Sequence, residues 1–157
     1  MLTKLKINNY ALIDSLEITF NRGMSSITGE TGAGKSIILG GLSMVLGARV
    51  DNSKIINKEK KCFVEATFDL TDIYLKDYFR KNDLDYDEIT IIRREVNQNG
   101  KSRAFINDSP VKLDRLSDFT NRLIDVHSQF NNLSILDSNF IFLILDSLSK
   151  NQDIINK

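Results

Sequence analysis

Residues 27–36 read Ile-Thr-Gly-Glu-Thr-Gly-Ala-Gly-Lys-Ser, which is the most specific structural signal in the chain. From Gly29 to Ser36 it matches the pattern G-x-x-x-x-G-K-[ST] at every fixed position. Glycine lets the backbone bend closely around an anion, so that several N–H groups point at phosphate oxygens. An apolar segment precedes the pattern and a helical one follows it, as this loop requires. The stretch therefore predicts a phosphate-binding loop for a nucleoside triphosphate, with ATP and Mg²⁺ as the expected ligands.

The residues of this loop have distinct expected roles. The candidate nucleotide-binding set is Gly29, Glu30, Thr31, Gly32, Ala33, Gly34, Lys35 and Ser36. Lys35 supplies a point charge for the β- and γ-phosphates and stabilises charge during hydrolysis, so it is also a candidate catalytic residue. The hydroxyl of Ser36 is a candidate magnesium ligand. The alternative, a glycine-rich turn with an incidental Lys-Ser pair, does not explain why pattern and context agree.

The segments next to the loop indicate a strand before it and a helix after it. Met24 to Thr28 is predicted as a short strand that leads into the loop. Ser36 to Leu46 is apolar almost all round, which is typical of a helix buried against a sheet. Its two central glycines, Gly40 and Gly41, predict close packing on a neighbouring strand, and Gly47 is a plausible C-cap.

Farther out, alternating apolar and polar residues predict an antiparallel patch of strands. The predicted strands are Leu2 to Ile7, Ile13 to Phe20, Phe63 to Leu70, Ile89 to Val96, Lys101 to Asn107 and a buried one, Arg122 to Val126. Predicted helices cover Asp72 to Lys81, Val111 to Asn121 and the residues from Ser138 onward. Turns are expected at 97–100, where Asn-Gly tolerates positive φ, and at 107–110, which holds the proline. The order predicts a mixed α/β arrangement.

Composition limits the class of protein without naming a partner. The chain has 157 residues, 41% of them hydrophobic, and 21 basic residues balance 21 acidic ones. It contains one cysteine, Cys62, which is expected to be a half-buried apolar residue and not a reactive thiol. The N-terminus lacks the apolar core of a signal peptide, and no apolar run approaches the ~20 residues of a membrane span. We therefore expect a cytoplasmic protein.

Several longer segments resemble one family. Leu5 to Phe20 looks like the opening hairpin of the SMC-like chromosome and repair ATPases, and the loop spacing is that of the ABC-type ATPases. The resemblance narrows to the RecN family of DNA repair ATPases on four further stretches: residues 27–36, Leu46-Gly47-Ala48-Arg49, Ser102-Arg103-Ala104-Phe105-Ile106-Asn107 with Pro110-Val111, and Asp125-Val126-His127-Ser128-Gln129. They occur in the family's order along the whole chain.

The resemblance implies a fold and a domain plan. The fold would be α/β: a P-loop NTPase, specifically the N-terminal lobe of an ABC/SMC-like ATPase head with an antiparallel β patch. Residues 1–137 would form this lobe, and residues 138–157 would begin a coiled-coil helix. Gln129 carries over as the Q-loop glutamine, which touches magnesium and the attacking water and so counts as a catalytic and metal-site candidate. By itself it would be an ordinary polar residue at a strand end.

The resemblance also implies function and partners. The complete protein would use ATP to clamp two heads together while acting in DNA double-strand break repair and recombination, in the bacterial cytoplasm at the nucleoid. Its partners would be DNA, the C-terminal head lobe of the same protein and a second head in an ATP-dependent homodimer. The chain departs from the family at Asp108, at Ser128 and at Phe130-Asn131-Asn132.

A larger departure concerns the catalytic carboxylates. No apolar run ending in Asp-Glu follows Gln129, and Leu143-Ile144-Leu145-Asp146 is followed by Ser147. We therefore expect ATP hydrolysis only when a C-terminal lobe supplies the Walker B and signature motifs. The alternatives are a truncated or degenerate non-catalytic nucleotide-binding module that needs a partner lobe and, more weakly supported, a small-molecule P-loop kinase. The neighbouring reading frame distinguishes the RecN-type lobe from the non-catalytic module, because a downstream segment with the second lobe would support the former.

Four further residues have both a functional and an ordinary interpretation. His127 is either a general base or a residue that positions its neighbour Gln129, and the lack of an evident partner favours positioning. Arg93, Arg94 and Arg103 either contact DNA phosphate or belong to a solvated strand face, which is the commoner case.

Overall fold

The computed structural model describes residues 1–30, 32 and 34–126. Its strands are β1 (Leu2–Tyr10), β2 (Ile13–Thr19), β3 (Cys62–Asp69), β4 (Ile89–Val96), β5 (Ser102–Ile106) and β6 (Ser109–Val111). Its α-helices are α1 (Lys35–Val45), α2 (Lys76–Lys81) and α3 (Leu113–Thr120), and a 3₁₀ turn covers Asn52–Lys54. These elements lie in one compact unit, Met1–Ile124.

The six strands form one sheet in the order β2-β1-β3-β4-β5-β6. Every neighbouring pair is antiparallel, and β1 pairs with β2 on one side and β3 on the other. The alternation that predicted β3 is confirmed, because its residues are buried and half-buried in turn and Val64, Ala66 and Phe68 are fully buried. The antiparallel patch is thus a sheet with one face turned to the core.

Helix α1 packs on β1 through its two glycines, as the sequence predicted. A Cβ at Gly41 would lie 2.7 Å from Cδ1 of Ile7, and one at Gly40 would lie 3.2 Å from the hydroxyl of Tyr10. Ile7 is itself fully buried, so there is little room for it to move. The glycines therefore let the helix that follows the phosphate loop approach the sheet closely.

An asparagine pins the long loop between α1 and β3 to the sheet. Asn9 is 1% exposed, and its side-chain amide donates to the carbonyl oxygens of Asn57 at 2.8 Å and Lys60 at 3.1 Å. Its side-chain oxygen accepts from the backbone N–H of Asn57 at 2.8 Å. The sequence predicted a loop over Arg49 to Lys61 but not this anchor, since one polar residue in a strand pattern carries no signal of its partners.

Helix α3 contacts the residues at the C-terminal end of α1. The hydroxyl of Thr120 donates to the carbonyl oxygen of Leu46 at 2.7 Å. Gly47 follows with φ +110°, and a Cβ there would lie 2.2 Å from Oγ of Ser117. The C-cap of α1 is Leu46 and not Gly47 as predicted; Gly47 is the next residue, where its positive φ ends the helix and its contact with α3 needs the space.

Two predicted strands are wrong within the described residues. Met24 to Thr28 has no regular secondary structure and no strand partner, with Met24 97% and Ile27 49% exposed. A strand needs a neighbour to take its N–H and C=O groups, and no described strand lies beside it. Arg122 to Val126 is also not a strand, because the N–H groups of Leu123 and Ile124 donate to the carbonyl oxygen of Thr120 at 2.9 and 3.1 Å in a turn that continues α3.

Smaller corrections concern element lengths. The helix predicted over Asp72 to Lys81 is only Lys76–Lys81, because the preceding residues form tight turns, with the N–H of Ile73 donating to the carbonyl oxygen of Leu70 at 2.8 Å. Pro110 lies in the edge strand β6 and not in the turn before it. An edge position suits proline, which has no N–H to donate to a further strand.

The described helices include none that is long and apolar enough to cross a membrane. The helix predicted from Ser138 onward and the boundary at residue 137 lie outside the described residues and stay predictions.

Candidate nucleotide-binding site

The loop is positioned by the chain that leaves β2 and enters α1. After Gly23, which has φ +98°, the chain is exposed and without regular secondary structure as far as Gly29. Helix α1 begins at Lys35 with Gly34 as its N-cap, and the carbonyl oxygen of Gly34 accepts from the N–H groups of Ile37 and Ile38 at 2.9 and 3.2 Å. The irregular chain therefore changes to helix within the glycine-rich segment.

Two glycines in the loop have a backbone conformation that other residues adopt with strain. Gly32 has φ +92° and Gly34 has φ +89°. A Cβ at either position would meet nothing within 4 Å, so the space beside them is open. Glycine is needed here for backbone shape and not for packing, which fits a cradle that a phosphate group approaches from outside.

The positive charge of the site is concentrated at the start of α1. Nζ of Lys35 donates to the carbonyl oxygen of Glu30 at 2.6 Å and also to that of Gly29. No acidic residue occupies the first turn of α1, and no described residue accepts or donates a hydrogen bond at the hydroxyl of Ser36. The N-terminus of α1, the ammonium group of Lys35 and the hydroxyl of Ser36 thus belong to the same turn. This is the set of groups that a phosphate with a bound Mg²⁺ requires.

The structure places most, but not all, of the predicted site residues. It describes Gly29, Glu30, Gly32, Gly34, Lys35 and Ser36, all in one loop and the first turn of α1. Thr31, Ala33, His127 and Gln129 lie outside the described residues, so their predicted roles stay predictions. The contact of Lys35 with its own loop was not predicted, because no sequence pattern specifies where a flexible side chain folds.

The three arginines considered for DNA contacts have different surroundings. Arg94 is only 4% exposed, and its Nε donates to the hydroxyl of Ser102 at 3.0 Å. Arg93 lies 4.8 Å from the ring centre of Phe105 and within 4.0 Å of Glu65. Arg103 is exposed. They do not share one solvated face, and the alternation of β4 could have shown this, since Arg94 has the same parity as the buried Ile92 and Val96.

Sequence comparison finds relatives over nearly the full chain. The family described as "AAA domain" matches residues 4–156. The DNA repair protein RecN of Vibrio cholerae is 37% identical over 156 residues, which is 99% of this chain and 28% of the relative. RecN of Haemophilus influenzae is 33% identical over 161 residues, covering 100% of this chain and 29% of the relative. The chain thus spans less than a third of the length of the curated relatives it matches.

Structural comparison finds the same fold in ATPase heads. A chain from a study of "ATP-driven dimerization and DNA stimulated activation of SMC ATPases" superposes with a TM-score of 0.66 at 20% identity, covering 94% of this chain and 98% of the other. The SMC head domain from Thermotoga maritima gives 0.56 at 22% identity, with 75% and 41% covered. The recombination mediator RecF with ATP gives 0.53 at 17% identity, with 71% and 27% covered. At these identities the likeness establishes the fold alone.

Proposed function

Since the chain belongs to the AAA domain family and is related in sequence to the RecN DNA repair proteins, we propose that it is the ATP-binding N-terminal lobe of a RecN-type ATPase. In this proposal it acts in DNA double-strand break repair and recombination. The observation that carries it is the loop itself. Gly32 and Gly34 hold an open, positive-φ backbone directly before a helix that begins with Lys35.

The proposed roles follow from the positions of the groups. Backbone N–H groups of Gly32 and Gly34 and of the first turn of α1 bind the phosphates, and Lys35 exchanges its loop carbonyl partners for β- and γ-phosphate oxygens. The hydroxyl of Ser36 is the ligand that this loop offers to Mg²⁺, which would neutralise phosphate charge. Gln129 is proposed as the second magnesium contact and as the group that orients the attacking water.

The larger assembly is also part of the proposal. The relatives are DNA repair proteins, and the SMC chain of the same fold comes from work on ATP-driven dimerisation and DNA-stimulated activation. We propose that this lobe combines with a C-terminal lobe, that two heads pair with ATP between them, and that the whole protein acts on DNA in the bacterial cytoplasm. The unpaired, exposed segment from Met24 to Ile27 supports the need for a second lobe.

A second candidate function is a nucleotide-binding module without catalysis. It is favoured by the lack, after Gln129 in the given sequence, of an apolar run that ends in adjacent Asp-Glu, which is the pattern of the catalytic carboxylates. The two candidates share the nucleotide site and differ only in turnover with a second lobe.

The test of the shared site is a calorimetric titration of the chain with ATP and Mg²⁺. Lys35→Ala should weaken binding at least tenfold, because the ammonium group makes charge-assisted bonds to phosphate. Lys81→Ala, at the exposed end of α2, removes the same charge far from the loop and should leave binding unchanged. Equal affinities for the two variants would overturn the site assignment, whatever the activity of the complete protein.

A further inference from the structure

A cleft away from the phosphate loop carries a second concentration of positive charge. It lies at the edge of the sheet where β5, β6 and the start of α3 meet, and it has a volume of about 630 Å³. We call it the β5–β6–α3 cleft. None of its lining residues belongs to the phosphate loop, and none is acidic. Three of them are cationic: Arg94, Arg103 and Lys112.

The key residue of the cleft is Arg94, because its side chain is almost entirely buried and no described carboxylate pairs with it. The side chain is 4% exposed, and no described carboxylate lies within ion-pair distance of it. Its only described hydrogen bond runs from Nε to the hydroxyl of Ser102 at 3.0 Å, which leaves the N–H groups of both Nη atoms unused. Burying an unpaired charge is costly, and burial lowers the pKa of Arg94 from its usual value. A nearly buried arginine whose Nη groups make no described hydrogen bond is a place that an anion would stabilise.

The surroundings of Arg94 favour a negatively charged group. Arg103 and Lys112 also line the cleft, are exposed and make no described ion pair, although Arg103 pairs in register with Glu95 and not with Arg94. Helix α3 begins beside the cleft at Leu113 and has no side chain capping its N-terminus, so its first N–H groups are also free to bind an anion. Its first-turn acid, Asp114, lines the neighbouring cavity and not this one.

We propose that the β5–β6–α3 cleft binds a phosphate group at a site separate from the nucleotide loop. A planar guanidinium whose two Nη groups make no described hydrogen bond matches the geometry of a phosphate, and Arg103 and Lys112 add two more cations to the lining. The opening and volume of the cleft admit a phosphate carried by a larger molecule. Two sources share this chemistry, the phosphodiester backbone of a nucleic acid and a free phosphate compound. This inference does not depend on the proposed function.

The test is a ¹H–¹⁵N NMR titration of the full chain with inorganic phosphate against chloride at equal ionic strength. Phosphate should shift the amides of Ser102, Arg103 and Leu113 and the Nε–H signal of Arg94. Gly32 and Gly34 report the nucleotide loop in the same spectra, so that failure of one site is distinguished from failure of the other. Shifts confined to the loop, or equal shifts with chloride, would overturn the proposal. Acetate binding as tightly as phosphate at the cleft would do the same.

Variants separate a binding role for the cleft from a structural one. Arg103→Gln and Lys112→Gln should each raise the apparent Kd for phosphate at the cleft about fivefold to tenfold, while the exposed neighbour Lys101→Gln, which does not line the cleft, should not. Arg94→Met should abolish the phosphate-dependent rise in Tm without lowering Tm in phosphate-free buffer. A lower Tm with an unchanged phosphate response would make Arg94 a structural residue. Arg94→Lys keeps the positive charge and is the second variant to measure in case Arg94→Met does not fold.

The two sources of the phosphate are then distinguished by competition. Displacement of phosphate from the cleft by an oligothymidylate assigns the site to a nucleic-acid backbone. Displacement by ribose 5-phosphate but not by the oligonucleotide assigns it to a free phosphate compound. Either result supports the site, and competition by neither compound would overturn it.

Discussion

One glycine, Gly47, shows how a single residue joins two elements. It has φ +110°, and a Cβ would lie 2.2 Å from Oγ and 3.3 Å from Cα of Ser117 in α3. We expect Gly47→Ala to lower the free energy of unfolding by roughly 2–4 kcal/mol, from backbone strain and from overpacking together. Gly23→Ala is the matched control, since Gly23 has φ +98° with nothing within 4 Å, and it should lose only about 1 kcal/mol. Urea denaturation measures both, and equal losses would show that the contact with α3 contributes nothing.

The single cysteine makes a prediction about alkaline pH. Cys62 is fully buried, and desolvation raises its pKa from 9.0 to about 11. Because the folded pKa is higher than the unfolded one, the unfolded chain loses its proton first, so stability is intact below pH 9 and falls as the pH rises toward 11. We expect the unfolding free energy to fall faster between pH 8 and pH 10 in the native chain than in Cys62→Ala, although the variant is less stable at every pH. Parallel pH profiles in urea melts would contradict the assignment.

Among the elements, Met24 to Thr28 has the apolar residues of a predicted strand, but no described strand lies beside it. Its residues are exposed, whereas β3 is paired on both sides by β1 and β4. We expect the amides of 24–28 to exchange with deuterium within seconds in the chain alone, while those of Phe63 to Phe68 are protected by several orders of magnitude. Hydrogen exchange read by mass spectrometry tests this, with the exposed residues Asp87 and Glu88, whose N–H groups make no described hydrogen bond, as an unprotected reference. Protection of 24–28 equal to that of β3 would show that the segment is paired after all.

The same contrast explains what the sequence could predict. Alternation places β3 and β4 correctly because one face of each strand is buried and the other is less buried, so that the period of two is visible in the residue types. The loop was identified because its glycines and Lys35 are adjacent in sequence and need no distant partner. Met24 to Thr28 and Arg122 to Val126 were predicted as strands from apolar content alone, and a strand also needs a neighbour. The burial of Arg94 was not predicted, because a charged side chain is usually expected at the surface even where the alternation groups it with buried residues.

At the scale of the whole molecule, one sheet organises two separate places of positive charge. Helix α1 packs on β1 through Gly40 and Gly41, which fixes the helix that begins at the phosphate loop. At the other edge, β6 is only Ser109–Val111, so it covers part of β5 and leaves the cleft beside Arg94. One sheet is therefore the scaffold beneath both places of positive charge.

ATP turnover tests the proposal that this chain binds the nucleotide and a C-terminal lobe completes the hydrolytic site. The chain alone should bind ATP but hydrolyse it slowly, because Lys35 and Ser36 position phosphate while no described residue supplies a base for the attacking water. Adding the C-terminal lobe of a related protein, such as RecN of Vibrio cholerae, should raise phosphate release at least a hundredfold. The same mixture with Lys35→Ala should stay at the rate of the chain alone. A coupled phosphate assay decides: rapid turnover by the isolated chain would refute the division, and binding of the lobe without turnover would favour the non-catalytic module.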